Sequence, residues 1–132
     1  MVGNIIQGYN STAMAYGVTG TGKTHTMFGD IYNVNTKEKG VCIYAIDHLF
    51  ETINNEVKKS FQVKVSYLEI YNEQVIDLLN VNSEALMIVE DPSKGIVVPD
   101  LMEYNVTDSN EVIKLIIEGN QRRTMAPTGI IL

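Results

Sequence analysis

Gly17, Gly22, Lys23 and Thr24 meet the pattern G-x-x-x-x-G-K-[ST], with an additional glycine at Gly20. Glycines at these places let the backbone turn back on itself and aim several N–H groups into one anion-binding concavity. A lysine after the last glycine reaches the β- and γ-phosphates of a nucleotide, and the hydroxyl that follows is suited to Mg²⁺. The candidate nucleotide-binding residues are therefore Gly17, Val18, Thr19, Gly20, Thr21, Gly22, Lys23 and Thr24, with Thr24 also the candidate metal ligand. The chemistry is the binding of a nucleotide's phosphates with Mg²⁺.

A loop of this kind needs a strand before it and a helix after it. The preceding STAMAYG is short, small and apolar, as a buried strand would be, and KTHTMF can open a helix whose N-terminal dipole faces the phosphates. Upstream, Val2, Ile5 and Ile6 fall at helical spacing and stop at Gly8. Downstream, Gly29 to Gly40 is a polar connection rich in turn formers. Ile46, Leu49, Phe50, Ile53 and Val57 then share one helical face. FQVKVSYLEIY reads as one strand, covered on one face at its start and on both faces later. LMIVE and GIVVPDL read as two short strands joined by a turn through DPSKG. A last helix is predicted to start after Asp108, with Glu111 completing a capping box, and to carry Val112, Leu115 and Ile116 inward. It should end near Gly119, leaving Arg122 and Arg123 to offset the helix dipole.

A P-loop enzyme also needs a second acidic residue at the end of an adjacent strand. Glu90 and Asp91 follow an apolar run, but a hairpin turn is the wrong place for such a carboxylate. Asp47 and Asp77 also end apolar stretches, on helix-like or turn-like segments. Glu69 lies on a strand, so its spacing of four from Glu73, and that residue's from Asp77, does not build a carboxylate cluster. His25 and His48 are too far apart in sequence to suggest a metal site; His25 is the one placed near a bound nucleotide.

At 132 residues the chain makes one domain at most, and 45% hydrophobic with 20% charged residues is ordinary for a globular protein. No apolar run approaches a membrane span, and MVGNIIQG lacks the basic and apolar regions of a signal peptide. The single Cys42 forms no intrachain disulfide and fits a reduced, cytoplasmic compartment as a small buried helix residue. A net charge of −6 argues against nucleic acid or an anionic membrane as the main partner.

Together the segments resemble one family, the kinesin motor domain. The carrying residues are GYNSTAMAYGVTGTGKTHTM (Gly8 to Met27), SYLEIYNEQVIDLL (Ser66 to Leu79), EDPSKGIVVPDL (Glu90 to Leu101) and GNQRRTMAPT (Gly119 to Thr128). The acidic turn and the RRTMAPT ending look most like class-eight kinesins. The resemblance implies an α/β fold, a P-loop NTPase core with three αβα layers, represented by residues 1–132 as an incomplete part of the domain. It implies an ATP-dependent microtubule motor acting at the cytoskeleton, with any dimerisation lying outside this chain. The region after the loop becomes a two-part helix interrupted by a surface loop, Ile31 to Lys39. The hairpin from Glu90 to Asp100 resembles the part facing tubulin, which makes Lys94 a candidate microtubule contact and removes Glu90 and Asp91 as magnesium ligands.

Kinesins carry two switches, N-x-x-S-S-R-S-H and a DLAGSE-like motif, and neither occurs among these residues. The isolated chain is therefore expected to bind nucleotide weakly if at all and to have no motor activity. Two other readings stay open on residues alone. One is a different P-loop ATPase or kinase using Glu90 or Asp91 as metal acid; the other is a non-catalytic interaction module with a relic loop.

Overall fold

The computed structural model describes residues 1–33, 38–82 and 84–123. They divide into two units, one of residues 1–62 with 107–113, the other of residues 63–106 with those from 114 onward.

In the first unit, α1 (Val2–Ile6) and α2 (Lys23–Phe28) both pack on α3 (Val41–Asn55). Helix α1 ends in a turn at Gln7, and Gly8 then takes φ 94°. Helix α3 begins after the extended Gly40 and turns Ile43 and Phe50, two helical turns apart, into the interior. Val2 and Val112 complete the buried hydrophobic side chains described in this unit. Val57, expected on the same face, lies past the helix end and is 95% exposed, because Glu56 leaves helical geometry at φ −90°, ψ 112°. Cys42 is half-buried on α3, and burial raises its thiol pKa above the ordinary value. After the loop the chain forms two separate helices, α2 and α3. Their connection closes at its base through a bridge between Gly29 and Lys39, with Asp30 N–H donating to the Glu38 carbonyl at 3.0 Å. Residues 34–37 of the surface loop lie outside the described residues.

The run STAMAYG differs most from expectation. It forms no helix and pairs with no strand among the described residues, and Met14 and Tyr16 are 83% and 97% exposed. Its apolar pattern suits a strand between two neighbours, and no described segment supplies either one.

The second unit holds three antiparallel pairs. They are β1 (Val63–Val65) with β6 (Tyr104–Val106), β2 (Leu68–Tyr71) with β3 (Gln74–Asp77), and β4 (Val89–Asp91) with β5 (Gly95–Val97). The expected single strand FQVKVSYLEIY is thus broken at Ser66 and Tyr67, its halves paired with different partners. Its second half is not covered on both faces: Ile70 is 67% exposed. Between β2 and β3, Asn72 and Glu73 take φ 50° and 63°, the two-residue turn that matches strand twist. Asp77 therefore sits on a strand rather than a helix or turn, and it is buried with Val75, Leu78, Leu79 and Val106.

Helix α4 (Ser109–Arg122) starts in the first unit and continues in the second. Asp108 Oδ1 accepts from Glu111 N–H at 3.0 Å, while Glu111 Oε2 accepts from Thr107 N–H at 2.7 Å. The capping box is present with its return bond made one residue earlier than expected. Val112 and Ile116 are buried and Leu115 is half-buried. The helix does not end at Gly119. That residue is buried inside it, where a Cβ would overlap the Tyr67 ring. Nor are the two arginines merely helix-end cations. Arg122 donates to the Leu78 carbonyl at 3.0 Å, and Arg123 pairs with Glu69 at 3.3 Å.

Candidate functional site

The loop from Gly17 to Thr24 is built from backbone reversals. Gly20 and Gly22 take φ 85° and 86°, a region in which an L side chain is strained, and Gly22 caps α2 directly. Thr21 tightens the turn, its hydroxyl donating to the Val18 carbonyl at 2.8 Å. Lys23 folds back over the loop, and its ammonium donates to the carbonyls of Gly17 and Val18, each at 2.8 Å. A positive charge is thereby held against the loop backbone rather than extended into solvent. Thr24 is exposed on the first turn of α2. These residues fit a phosphate-bearing ligand with a divalent cation: turned backbone, one fixed ammonium, one accessible hydroxyl.

Helix α2 spans only six residues, from Lys23 to Phe28. His25, expected near a nucleotide, has its Nε2 3.3 Å from Glu38 Oε2, across the base of the following loop. Beside that base, a cavity of about 300 Å³ is lined by Phe28, Asp30, Ile31, Glu38, Lys39 and Ile43 among others. Asp47 contacts Lys39 at 2.7 Å and raises its pKa, through the hydrogen bond first and the charge second. Neither the cavity nor these pairs followed from motif reading. The flanking glycines, Gly29 and Gly40, were the available signal, since both sit where backbone meets backbone too closely for a Cβ.

The proposed rival metal acids are occupied differently. Asp91 Oδ1 accepts from the Ser93 hydroxyl at 2.6 Å, Ser93 N–H at 2.8 Å and Lys94 N–H at 2.9 Å. Those bonds, the hydroxyl's first, hold its pKa below the ordinary carboxylate value. Its carboxylate is thus engaged by its own turn. Glu90 is exposed on β4. Lys94 is exposed in the β4–β5 turn, in the other unit from the loop. Among the described residues no group of three or more His, Cys, Asp or Glu could hold a metal ion, and no helix is long and apolar enough to cross a membrane.

The kinesin motor domain family model matches residues 1–130. Kinesin-like protein KIN-12G of Oryza sativa subsp. japonica is 44% identical over 98% of this chain, which spans 11% of that relative. Kinesin-like protein KIF18A of Mus musculus is 43% identical over 96% of this chain, covering 14% of the relative. A solved structure of a fast kinesin superposes with a TM-score of 0.87 at 33% identity, over 98% of this chain and 37% of its own. That superposition establishes the α/β P-loop NTPase class that the resemblance implied. The chain spans little more than a tenth of the length of these two relatives. Loop, two-part helix, hairpins and α4 all fall inside the matched range, and the chain belongs to the kinesin motor domain family.

Proposed function

We propose that residues 1–132 are part of the motor domain of an ATP-dependent microtubule motor, with Gly17 to Thr24 holding the nucleotide. Lys23 contacts the terminal phosphates and Thr24 ligates Mg²⁺, the cation neutralising charge on the phosphates when bound. Lys94, at the tip of an exposed hairpin, contacts the microtubule, and the protein works in the cytoplasm on the cytoskeleton. The observation that carries this reading is the loop, with its two left-handed glycines and an ammonium fixed on its own carbonyls.

Weak, magnesium-dependent binding of a fluorescent ATP analogue is the expected behaviour. Thr24→Ala should lower the affinity about tenfold in magnesium and leave it unchanged in EDTA, as loss of one charge-assisted contact requires. An equal loss in both buffers would remove Thr24 from the metal site.

Turnover is a separate matter. Phosphoryl transfer needs groups that orient the attacking water and stabilise transferred charge. Neither switch motif occurs in the 132 residues. The purified chain should therefore show no microtubule-stimulated ATP hydrolysis in a coupled phosphate-release assay. Stimulated turnover would show that its own residues supply those groups.

A further inference from the structure

Among the described residues Asp77 is the only charged side chain in the buried set, at 2% exposure. Burying a carboxylate costs free energy unless its oxygens find donors. Both find backbone. Oδ1 accepts from Leu79 N–H at 2.8 Å, and Oδ2 accepts from Met102 N–H at 2.9 Å. Among the described residues no cation pairs with it. The two amides belong to opposite ends of one excursion of the chain, which leaves after Leu79, forms the β4–β5 hairpin and returns at Met102. A second tie crosses the same base, where the Tyr104 hydroxyl donates to the Leu79 carbonyl at 3.3 Å.

An apolar residue could fill this place without the desolvation cost, but it would grip neither strand end. A carboxylate has two acceptor oxygens in one rigid plane, so its geometry fixes two donors relative to each other. We infer that Asp77 is the positioning residue of the β4–β5 hairpin: one buried carboxylate clips both ends of the excursion and so sets where Lys94 is presented. What the hairpin is held for rests on the microtubule reading above; that it is held by Asp77 does not.

Residue-resolved hydrogen exchange of the whole chain tests the clip. In the unmodified protein the amides of Leu79 and Met102 should be protected; exchange at the free-peptide rate would overturn the inference even without a variant. Asp77→Asn keeps the shape but offers an acceptor to one amide and sets an NH₂ against the other. It should accelerate exchange across the hairpin by at least about tenfold while leaving α3 unchanged. Equal acceleration in α3 would show a global loss of stability and overturn a positioning role.

Microtubule co-sedimentation supplies the functional arm. Lys94→Ala and Asp77→Asn should weaken binding to a similar extent, and the double variant should add little. A loosened hairpin with binding lost only in Lys94→Ala would overturn the positioning of Lys94. If Lys94→Ala leaves binding intact while Asp77→Asn still frees the hairpin, the microtubule reading fails and the clip stands.

Discussion

Replacing Lys23 with alanine is expected to lower the loop's affinity for ATP by about a hundredfold, to below detection in an equilibrium titration. A charge-assisted hydrogen bond to an ionised group contributes about 1.5–3 kcal/mol, and a lysine that serves two phosphates makes more than one. About 3 kcal/mol corresponds to roughly a hundredfold. The same ammonium makes two bonds to the loop, at the carbonyls of Gly17 and Val18. Lys23→Ala therefore also removes internal ties, and thermal unfolding must be measured beside the titration. Those ties are on an exposed or half-buried loop, where net contributions are small, so the melting temperature should change little. Large loss of binding with little loss of stability is the signature of a ligand contact. Unchanged affinity would instead favour an interaction module that keeps the loop as a relic.

The second large effect concerns stability and reverses an ordinary rule. In an exposed helix interior, glycine to alanine gains about 1 kcal/mol. Gly119→Ala in α4 is expected to cost about 2 kcal/mol, read as a lower midpoint in urea with little change in slope. The added methyl meets the Tyr67 ring edge and then the Leu78 side chain. The ring cannot swing aside freely, because the Tyr67 hydroxyl donates to Asn120 Oδ1 at 2.7 Å, one residue further along the same helix. Pushing the ring away breaks that bond; leaving it forces the helix outward, away from the anchors at Arg122 and Arg123. A stabilised Gly119→Ala would mean that the helix end can shift without loss, and that these anchors are weak.

Gly119 also shows what could be read from the chain and what could not. A glycine near the end of an amphipathic run, followed by two arginines, carries every local mark of a helix terminus. The deciding fact is a ring over fifty residues away in sequence, and no window contains both. The turn at Asn72 and Glu73 escaped for a related reason. Asn suits a positive φ, but Glu does so poorly, so the pair lacks the Asn-Gly signal that marks a two-residue hairpin. Without that turn β3 was invisible, and with it the strand position of Asp77. The phosphate loop, the capping box at Asp108 and the β4–β5 hairpin were legible because each is written within a few consecutive residues. The loop's conformation follows from glycines placed where φ must be positive, and Asp91 organises its turn through the next three residues. The strand expected at STAMAYG was legible in pattern only, since a strand exists by virtue of neighbours that its own residues do not specify.

That same run has a meaning for the chain's lifetime. Proteases bind substrates as extended segments and anchor them by side chains set into pockets. From Ser11 to Gly17 the backbone forms no helix and pairs with no described strand, and it displays Met14 and Tyr16 almost fully to solvent. No local unfolding has to precede cleavage there, whereas the bonded turns of the loop would have to open first. A cut after Tyr16 would part α1 from the phosphate loop at a single stroke. The residue just ahead of the chain's most specific motif is thus also an exposed point of attack.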